Sequence, residues 1–185
     1  PRTNLRPEAR RAALITWVIG SGGLLGRAVV EQCHDRFDAG SIPWHDDQAA
    51  ADRLRAAARK FCEVAGTEEW SVIWCAGAAT TSTSDDDAAK ELTMLEGLLE
   101  GIRSAVPAGN GSVFLASSAG GVYAGSQHPP FDTNTEPRPL SAYGELKLRQ
   151  EALATDYLRD LCPLTIGRIS NLYGPGQNLG KLQGL

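Results

Sequence analysis

The sequence is poor in the residues that build metal centres and disulfide frameworks. It has four cysteines and three histidines among 185 residues, and neither type shows the paired spacing of a zinc site or a redox dithiol. We therefore expect no bound metal ion. We also expect reduced cysteines that serve in packing, as in a cytoplasmic protein.

The chain also lacks a long apolar run and an excess of positive charge. No stretch approaches the roughly 20 apolar residues of a membrane helix, so we expect no membrane span. The formal net charge of −4 argues against nucleic-acid binding, which needs a basic surface. The basic N-terminus is not followed by the apolar core of a signal peptide. We expect a flexible leader over residues 1–13 and one domain over 14–185.

Short apolar runs alternate with longer amphipathic segments along the chain. This alternation is typical of strand–helix units and predicts a doubly wound parallel α/β sheet of Rossmann type, covered on both faces. The predicted strands are Leu14–Ile19, Ser71–Cys75, Ser112–Ala116 and Leu164–Ile169, and the predicted helices are Leu24–Cys33, Asp47–Val64, Asp85–Val106 and Ala142–Leu161. Residues 33–47 offer only short edge strands, near Phe37 or residues 42–44, and residues 127–141 predict a long exposed loop.

A glycine-rich loop joins the first predicted strand to the first predicted helix. Gly20 allows a tight turn, Gly22 or Gly23 lets backbone amides approach a phosphate, and Gly26 permits close packing of helix on strand. No GK[ST] follows, which argues against a nucleoside triphosphate loop of the usual kind. The alternative is a turn that serves only the fold. The predicted cofactor contacts are Gly20, Gly22, Gly23, Leu24, Leu25 and Gly26.

The sequence predicts NAD or NADP as the cofactor and leaves the choice open, with NAD favoured. An acidic residue about 20 positions after the loop normally holds the ribose hydroxyls. Asp46 and Asp47 fall there, but we expect them to cap the next helix, and Asp38 is the other candidate. Arg27 or Arg36 could instead meet a 2′-phosphate.

Tyr143 and Lys147 are four residues apart at the start of a predicted helix, so they share one face. A lysine ammonium about 5 Å from a phenol is worth roughly 3 kcal/mol, or about two pKa units, which brings tyrosine towards its working range as an acid or base. Ser117 and Ser118 end the preceding strand at the sheet edge where ligands bind, and either could orient a substrate oxygen. Without the glycine loop, the Tyr–Lys pair would be read as a surface pair.

Four ordered motifs together resemble the extended short-chain dehydrogenase/reductase family, in its NAD-dependent epimerase/dehydratase branch. The resemblance covers residues 15–177, nearly the whole chain. It rests on Gly20, Gly23 and Gly26, on the segment 117–123 (SSAGGVY), on 139–143 (PLSAY) with Lys147, and on Arg168, Asn171, Tyr173, Gly174 and Pro175.

The resemblance implies a role for each catalytic residue. Tyr143 would be the acid–base residue, and Lys147 would bind the nicotinamide ribose and lower the tyrosine pKa. Many family members carry the catalytic hydroxyl at the position of Ala119. We therefore assign that role to Ser118. Ser117 is the second candidate, and both serines are predicted substrate contacts.

The resemblance also implies binding partners. Ala76 and Gly77 would lie against the cofactor, and Asn171 would contact the substrate, which in this family is usually a nucleotide sugar. The acidic residue that ends the second strand in the family is missing here. Because family members continue well past Leu185, we expect the chain to lack most of the C-terminal substrate-binding region, to have weak or absent turnover alone, and to form a homo-oligomer.

Three other functions remain open at this level. A carbonyl reductase of a small metabolite would use the same residues with a different pocket. A cofactor-sensing regulator would keep the glycine loop and would not need the Tyr143–Lys147 pair. The third is an inert piece of a longer enzyme.

Overall fold

The computed structural model of the protein describes residues 14–80 and 83–177. Within them, five parallel strands form one sheet in the order β2-β1-β3-β4-β5, which confirms the predicted parallel α/β architecture. The elements are β1 (Leu14–Ile19), α1 (Leu24–Val30), β2 (Asp35–Arg36), α2 (Asp47–Ala65), β3 (Glu69–Trp74), α3 (Asp85–Ser104), β4 (Gly111–Ser118), α4 (Ala119–Val122), α5 (Ala142–Leu158) and β5 (Leu164–Ile169).

The hydrophobic core lies between one face of the sheet and the helices α2, α3 and α5, which pack side by side. On β3, Trp70, Val72 and Trp74 are buried, while Ser71 and Ile73 between them are partly exposed. Right-handed crossovers put α1 on the opposite face, because β2 and β3 lie on opposite sides of β1. Helices therefore lie on both faces of the sheet, as the predicted doubly wound arrangement requires.

The three long helices begin where the sequence predicts, because each start carries a side-chain cap. Asp46 accepts a hydrogen bond from the Ala49 amide at 2.9 Å, as expected of a cap for α2. Ser84 accepts one from Asp87 at the start of α3. Ser141 does the same at α5, with the Gly144 amide at 3.2 Å.

The structure departs from the predicted elements around β2 and β4. The single strand in the 33–47 region is Asp35–Arg36, and residues 42–44 form no strand. Helix α1 ends at Val30, three residues early. Strand β4 continues through Ser118, two residues beyond its predicted end, and is followed directly by the unpredicted turn of helix α4. The 127–141 loop has no helix or strand, as predicted.

Three expectations concern the residues 1–13 or the whole chain and so fall partly or wholly outside the described residues. The expected leader, residues 1–13, lies outside them. No helix in the described part of the chain has the length and apolar character to cross a membrane. In the same residues, no three His, Cys, Asp or Glu side chains are grouped as metal ligands.

Candidate active site

The glycine loop packs directly on the backbone that follows β3. Gly20 has φ +84°, and a Cβ there would lie 2.5 Å from the Ala76 amide nitrogen. A Cβ on Gly26 would lie 2.2 Å from the Gly20 carbonyl oxygen. Gly22 differs, because a Cβ there would meet nothing within 4 Å. Packing therefore requires glycine at positions 20 and 26, whereas Gly22 faces open space.

Two cavities meet at the glycine loop. The first, about 700 Å³, lies between β1 and the segment after β2 and includes Arg36 and Asp38 in its wall. The second, about 430 Å³, lies between the loop, residues 74–79 and α3. Gly20 and Trp44 line both. Each volume is in the range of small-molecule pockets, so the loop lies at the centre of a two-part groove.

The charged residues considered as contacts for the adenosine half of a cofactor lie at different places in the structure. Asp38 is exposed and accepts a hydrogen bond from the Gly40 amide at 2.7 Å, within the wall of the larger cavity. Arg36 lines the same cavity. Arg27 instead donates to the Gly176 carbonyl at 3.3 Å, so its guanidinium is turned towards the 174–177 turn. Asp47, the first residue of α2, borders the smaller cavity.

Tyr143 and Lys147 lie together at the start of α5. Lys147 is 6% exposed, and its Nζ lies 5.6 Å from the centroid of the Tyr143 ring. The ammonium donates a hydrogen bond to Gln150 Oε1 at 2.9 Å. Burial lowers the pKa of Lys147, and the nearby carboxylates of Glu91 and Glu151 oppose that shift.

Glu91 is a functional candidate that the sequence analysis missed. Its Oε1 accepts hydrogen bonds from the Ala78 and Ala79 amides at 2.6 and 2.8 Å. Its Oε2 is buried without a hydrogen-bond partner. A Cβ built on Gly77 would lie 3.2 Å from Glu91 Oε2 and 3.6 Å from Lys147 Nζ. The carboxylate and the ammonium thus both face the Cβ position of Gly77, and a larger residue there would crowd both.

A sequence signal for Glu91 existed in the spacing of α3. The buried positions of that helix include 88, 91, 95, 98 and 102, the three-and-four spacing of one helix face. Glu91 is the charged member of this otherwise apolar set. A charge at an inward position indicates either a buried partner or a ligand.

The two serines at the end of β4 point to different neighbours. Ser117 is 6% exposed and donates to Glu151 Oε1 at 2.5 Å. Ser118 is partly exposed and accepts from the Gly121 amide at 3.1 Å. A Cβ on Gly121 would lie 2.9 Å from Tyr143 Cε1, so Ser118 and Tyr143 share Gly121 as a neighbour. The Ser117 side chain therefore faces α5, where Glu151 lies.

A buried ionic network lies behind the site. Arg168, on β5, contacts both carboxylate oxygens of Glu151, with Nη2 at 2.6 Å from Oε2. Its Nη1 donates to the Tyr123 hydroxyl at 2.5 Å, and that hydroxyl donates to the Asp132 carbonyl. The carboxylate raises the pKa of Arg168 above its ordinary value. The network joins β4, β5, α5 and the loop after α4.

The remaining predicted site residues lie along the same sheet edge. Ala76 lines the smaller cavity with Gly77. Ser118 pairs with Ile169 across β4 and β5, and Asn171 follows two residues later as an exposed residue. The glycine loop, residues 76–77, Lys147 and the end of β4 are therefore brought together, and Asn171 is exposed two residues after the end of β5.

Comparison with known families identifies the family of the chain. Residues 16–184 match the model of the NAD dependent epimerase/dehydratase family. The chain belongs to this family. A short stretch of this family member, 46 residues or 24% of the chain, is 52% identical to dTDP-L-rhamnose 4-epimerase from Burkholderia thailandensis, of which it covers 13%.

Solved structures share the family fold at low sequence identity. UDP-glucose 4-epimerase from Thermotoga maritima superimposes with a TM-score of 0.67 at 21% identity, over 92% of this chain and 60% of that one. RMD from Pseudomonas aeruginosa, solved with NADPH, gives 0.67 at 20% identity, over 90% and 56%. UDP-glucose 4-epimerase from Thermus thermophilus, solved with NAD, gives 0.63 at 20%, over 89% and 57%. The chain spans less than two thirds of the length of each of these proteins.

Proposed function

We propose that this chain is the cofactor-binding part of an NAD(P)-dependent enzyme of epimerase or dehydratase type that acts on a nucleotide sugar. The observation that carries the proposal is the position of Lys147. Its Nζ lies beside the Tyr143 ring and next to Gly77, whose segment also supports the glycine loop. An acid–base pair and a phosphate-binding loop thus share one edge of the sheet, where ligands of parallel sheets bind. Family membership and the nucleotide-sugar substrates in the names of related proteins support the substrate class.

The residues present fit a dinucleotide. The two cavities meet at Gly20, and Gly22 leaves its side of the loop open, so a pyrophosphate there would extend one nucleoside into each cavity. Gly20, Gly22, Gly23, Leu24, Leu25 and Gly26 would hold the phosphates, and Ala76 and Gly77 would border the other half of the cofactor. The bound nicotinamide would supply hydride exchange with the substrate carbon.

The chain's own side chains would move the proton and hold the substrate. Tyr143 would take the proton from a sugar hydroxyl and return it, with the Lys147 ammonium beside its ring. Ser118 would hydrogen-bond the same substrate oxygen, because its hydroxyl is partly exposed on the Tyr143 side of Gly121. Asn171, exposed after β5, would contact a more distant substrate group.

Asp38 favours NAD over NADP. Only one of its carboxylate oxygens is held, by the Gly40 amide, which leaves the other able to accept from a ribose hydroxyl. A 2′-phosphate at that place would meet the negative charge. Arg36 lines the same cavity and would reduce the repulsion. We therefore propose a moderate preference for NAD, seen as a lower Kd in parallel calorimetric titrations.

Tyr143→Phe tests the central role. In the whole protein, assayed with dTDP- and UDP-hexoses, we expect turnover to fall by about 10²- to 10⁴-fold, the usual contribution of a general acid–base group. The Kd for NAD should change by less than about twofold, because the ring remains. Product stereochemistry and net cofactor consumption would separate an epimerase, which regenerates its cofactor, from a reductase.

Tyr157→Phe is the matched control. Tyr157 lies on the same helix, fourteen residues after Tyr143, and its hydroxyl donates a hydrogen bond to Glu96 Oε1 at 3.0 Å on the surface, so the loss of that hydroxyl should leave turnover nearly unchanged. If Tyr143→Phe turned over substrate at the rate of Tyr157→Phe, the acid–base assignment would be wrong.

A further inference from the structure

We propose that Glu91 is a positioning residue, whose buried carboxylate holds the Lys147 ammonium beside the Tyr143 ring from across Gly77. The inference deepens the proposed function, in which Tyr143 and Lys147 form the acid–base pair. It assigns a role to a side chain on α3, an element that none of the sequence motifs includes.

The first support is the placement of the two charges. Glu91 Oε2 and Lys147 Nζ lie 3.2 and 3.6 Å from the same point, the Cβ position of Gly77. They are therefore at most about 7 Å apart, without forming a direct ion pair. With φ +151° at Gly77, the backbone conformation there favours glycine, and no side chain separates the two groups.

The second support is the anchoring of Glu91. Two amides of the loop after β3, those of Ala78 and Ala79, bind Oε1. This fixes the carboxylate and leaves Oε2 buried without a partner, while the whole residue is 7% exposed. A buried carboxylate oxygen without a hydrogen bond is costly unless a positive charge compensates it. Lys147 is the buried cation beside it.

The third support is that few other groups near Lys147 can balance the positive charge of its ammonium. Gln150 supplies one neutral acceptor. Glu151, the other nearby carboxylate, is bound by Arg168 through both oxygens, so much of its charge is already neutralised. Tyr143 faces the ammonium with its ring, which carries no formal charge. Asp87 and Lys90, which also line the smaller cavity, are exposed and paired with each other. Among the residues that the structure describes, Glu91 is therefore the carboxylate whose charge is available to Lys147.

The consequence concerns the charge state of the lysine. Burial favours the neutral amine, and a carboxylate at this distance opposes that tendency. Without Glu91, Lys147 would lose its proton at lower pH. A neutral lysine would no longer be attracted by the Glu91 carboxylate and would be free to leave its place beside the Tyr143 ring.

Glu91→Gln tests the inference, because glutamine keeps an acceptor for the two loop amides and removes the charge. The chain has four lysines, so ¹⁵N/¹³C-lysine labelling gives few signals, and Lys147→Met identifies the relevant one. In this chain without cofactor, we expect the pKa of Lys147 to fall by about one to two units in Glu91→Gln. Glu91→Asp, which keeps the charge, should recover part of the shift.

Glu145→Gln is the matched control. Glu145 is two residues from Lys147 on the same helix but exposed, so the same loss of charge should move the pKa of Lys147 by less than about 0.3 unit. A Glu91→Gln shift no larger than that of Glu145→Gln would overturn the inference.

A double-mutant cycle keeps the test decisive if Glu91→Gln folds poorly. When Lys147 is already methionine, Glu91→Gln should lower the urea midpoint less than it does in the unaltered chain, because no unpaired ammonium is left buried. Equal losses in the two backgrounds would overturn the inference. These readouts require no turnover, so they are separate from failure of the proposed function, which Tyr143→Phe tests.

Discussion

Removing the Arg168 guanidinium should destabilise the fold, because it leaves a buried carboxylate without its cation. In Arg168→Met the aliphatic stem is largely kept, and Ser117 remains as a hydrogen-bond donor to the Glu151 carboxylate, whose side chain is 8% exposed. Breaking a buried ion pair on one side costs about 3–5 kcal/mol. Because the Arg168 side chain is 26% exposed and solvent screens it in part, we expect a loss of about 2–3 kcal/mol.

The loss is large against a total stability of about 5–15 kcal/mol, and it is measurable by urea unfolding. Trp17, Trp70 and Trp74 are all buried, so tryptophan fluorescence reports unfolding of the core. In Arg168→Met/Glu151→Gln neither residue of the pair carries a charge, and Gln can still accept from Ser117. We expect this double variant to recover about half of the lost stability.

Arg138→Met is the control for charge removal alone. Arg138 pairs with Glu136 at 2.9 Å, and the two side chains are 57% and 76% exposed. Exposed pairs contribute little, so the free energy of unfolding should change by less than about 0.5 kcal/mol. If Arg168→Met behaved like Arg138→Met, or if the double variant lost the sum of both single losses, the ionic network would not have the role assigned to it.

Two further predictions concern the glycine loop and a buried thiol. Gly22→Val should leave the urea midpoint unchanged, since a Cβ there meets nothing within 4 Å. It should weaken NAD binding by about tenfold or more, because the cofactor phosphates are proposed to lie over the loop. An unchanged affinity in calorimetry would mean that the phosphates bind elsewhere. Burial raises the pKa of the Cys62 thiol from 9.0 to about 11, so the stability it contributes is complete below pH 9 and is lost as pH rises towards 11. Cys62→Ala should therefore show a flatter decline in unfolding free energy over that window than the unaltered chain, and equal slopes would refute the effect of burial.

The elements that the sequence predicted well are those whose signals are local. Strands β1 and β5 occupy the predicted residues, because each is an apolar run bounded by turn formers. The starts of α2 and α3 follow from Asp46 and Ser84, whose side chains bond to amides three residues away. A short edge strand was expected near Phe37, and β2 lies directly before that residue, but its bounds were not predicted because Asp35 and Arg36 are polar and exposed. Its strand geometry comes from pairing with β1, which no local pattern encodes.

The candidate site was predictable in its motifs and not in its supporting contacts. Which of two adjacent serines faces the α5 side depends on the register of β4 with β5, where Ser117 pairs with Arg168. The burial of alternate residues along β4 could have indicated this, since Val113 and Leu115 share a face with Ser117. Glu91 could not be paired with Lys147 in advance, because the packing of α3 against α5 brings them together from 56 positions apart.

The position of Tyr143 depends on a close backbone approach between α4 and α5. A Cβ on Gly144 would lie 2.4 Å from the Gly121 carbonyl oxygen, and a Cβ on Gly121 would lie 2.9 Å from the Tyr143 ring. Two glycines therefore let the start of α5 rest on the short helix that Ser118 caps. Alanine at either position would force the two segments apart and separate Tyr143 from Ser118. The paired glycines thus belong to the proposed catalytic geometry as much as the reacting side chains do, because they set the distance between the phenol and the serine hydroxyl.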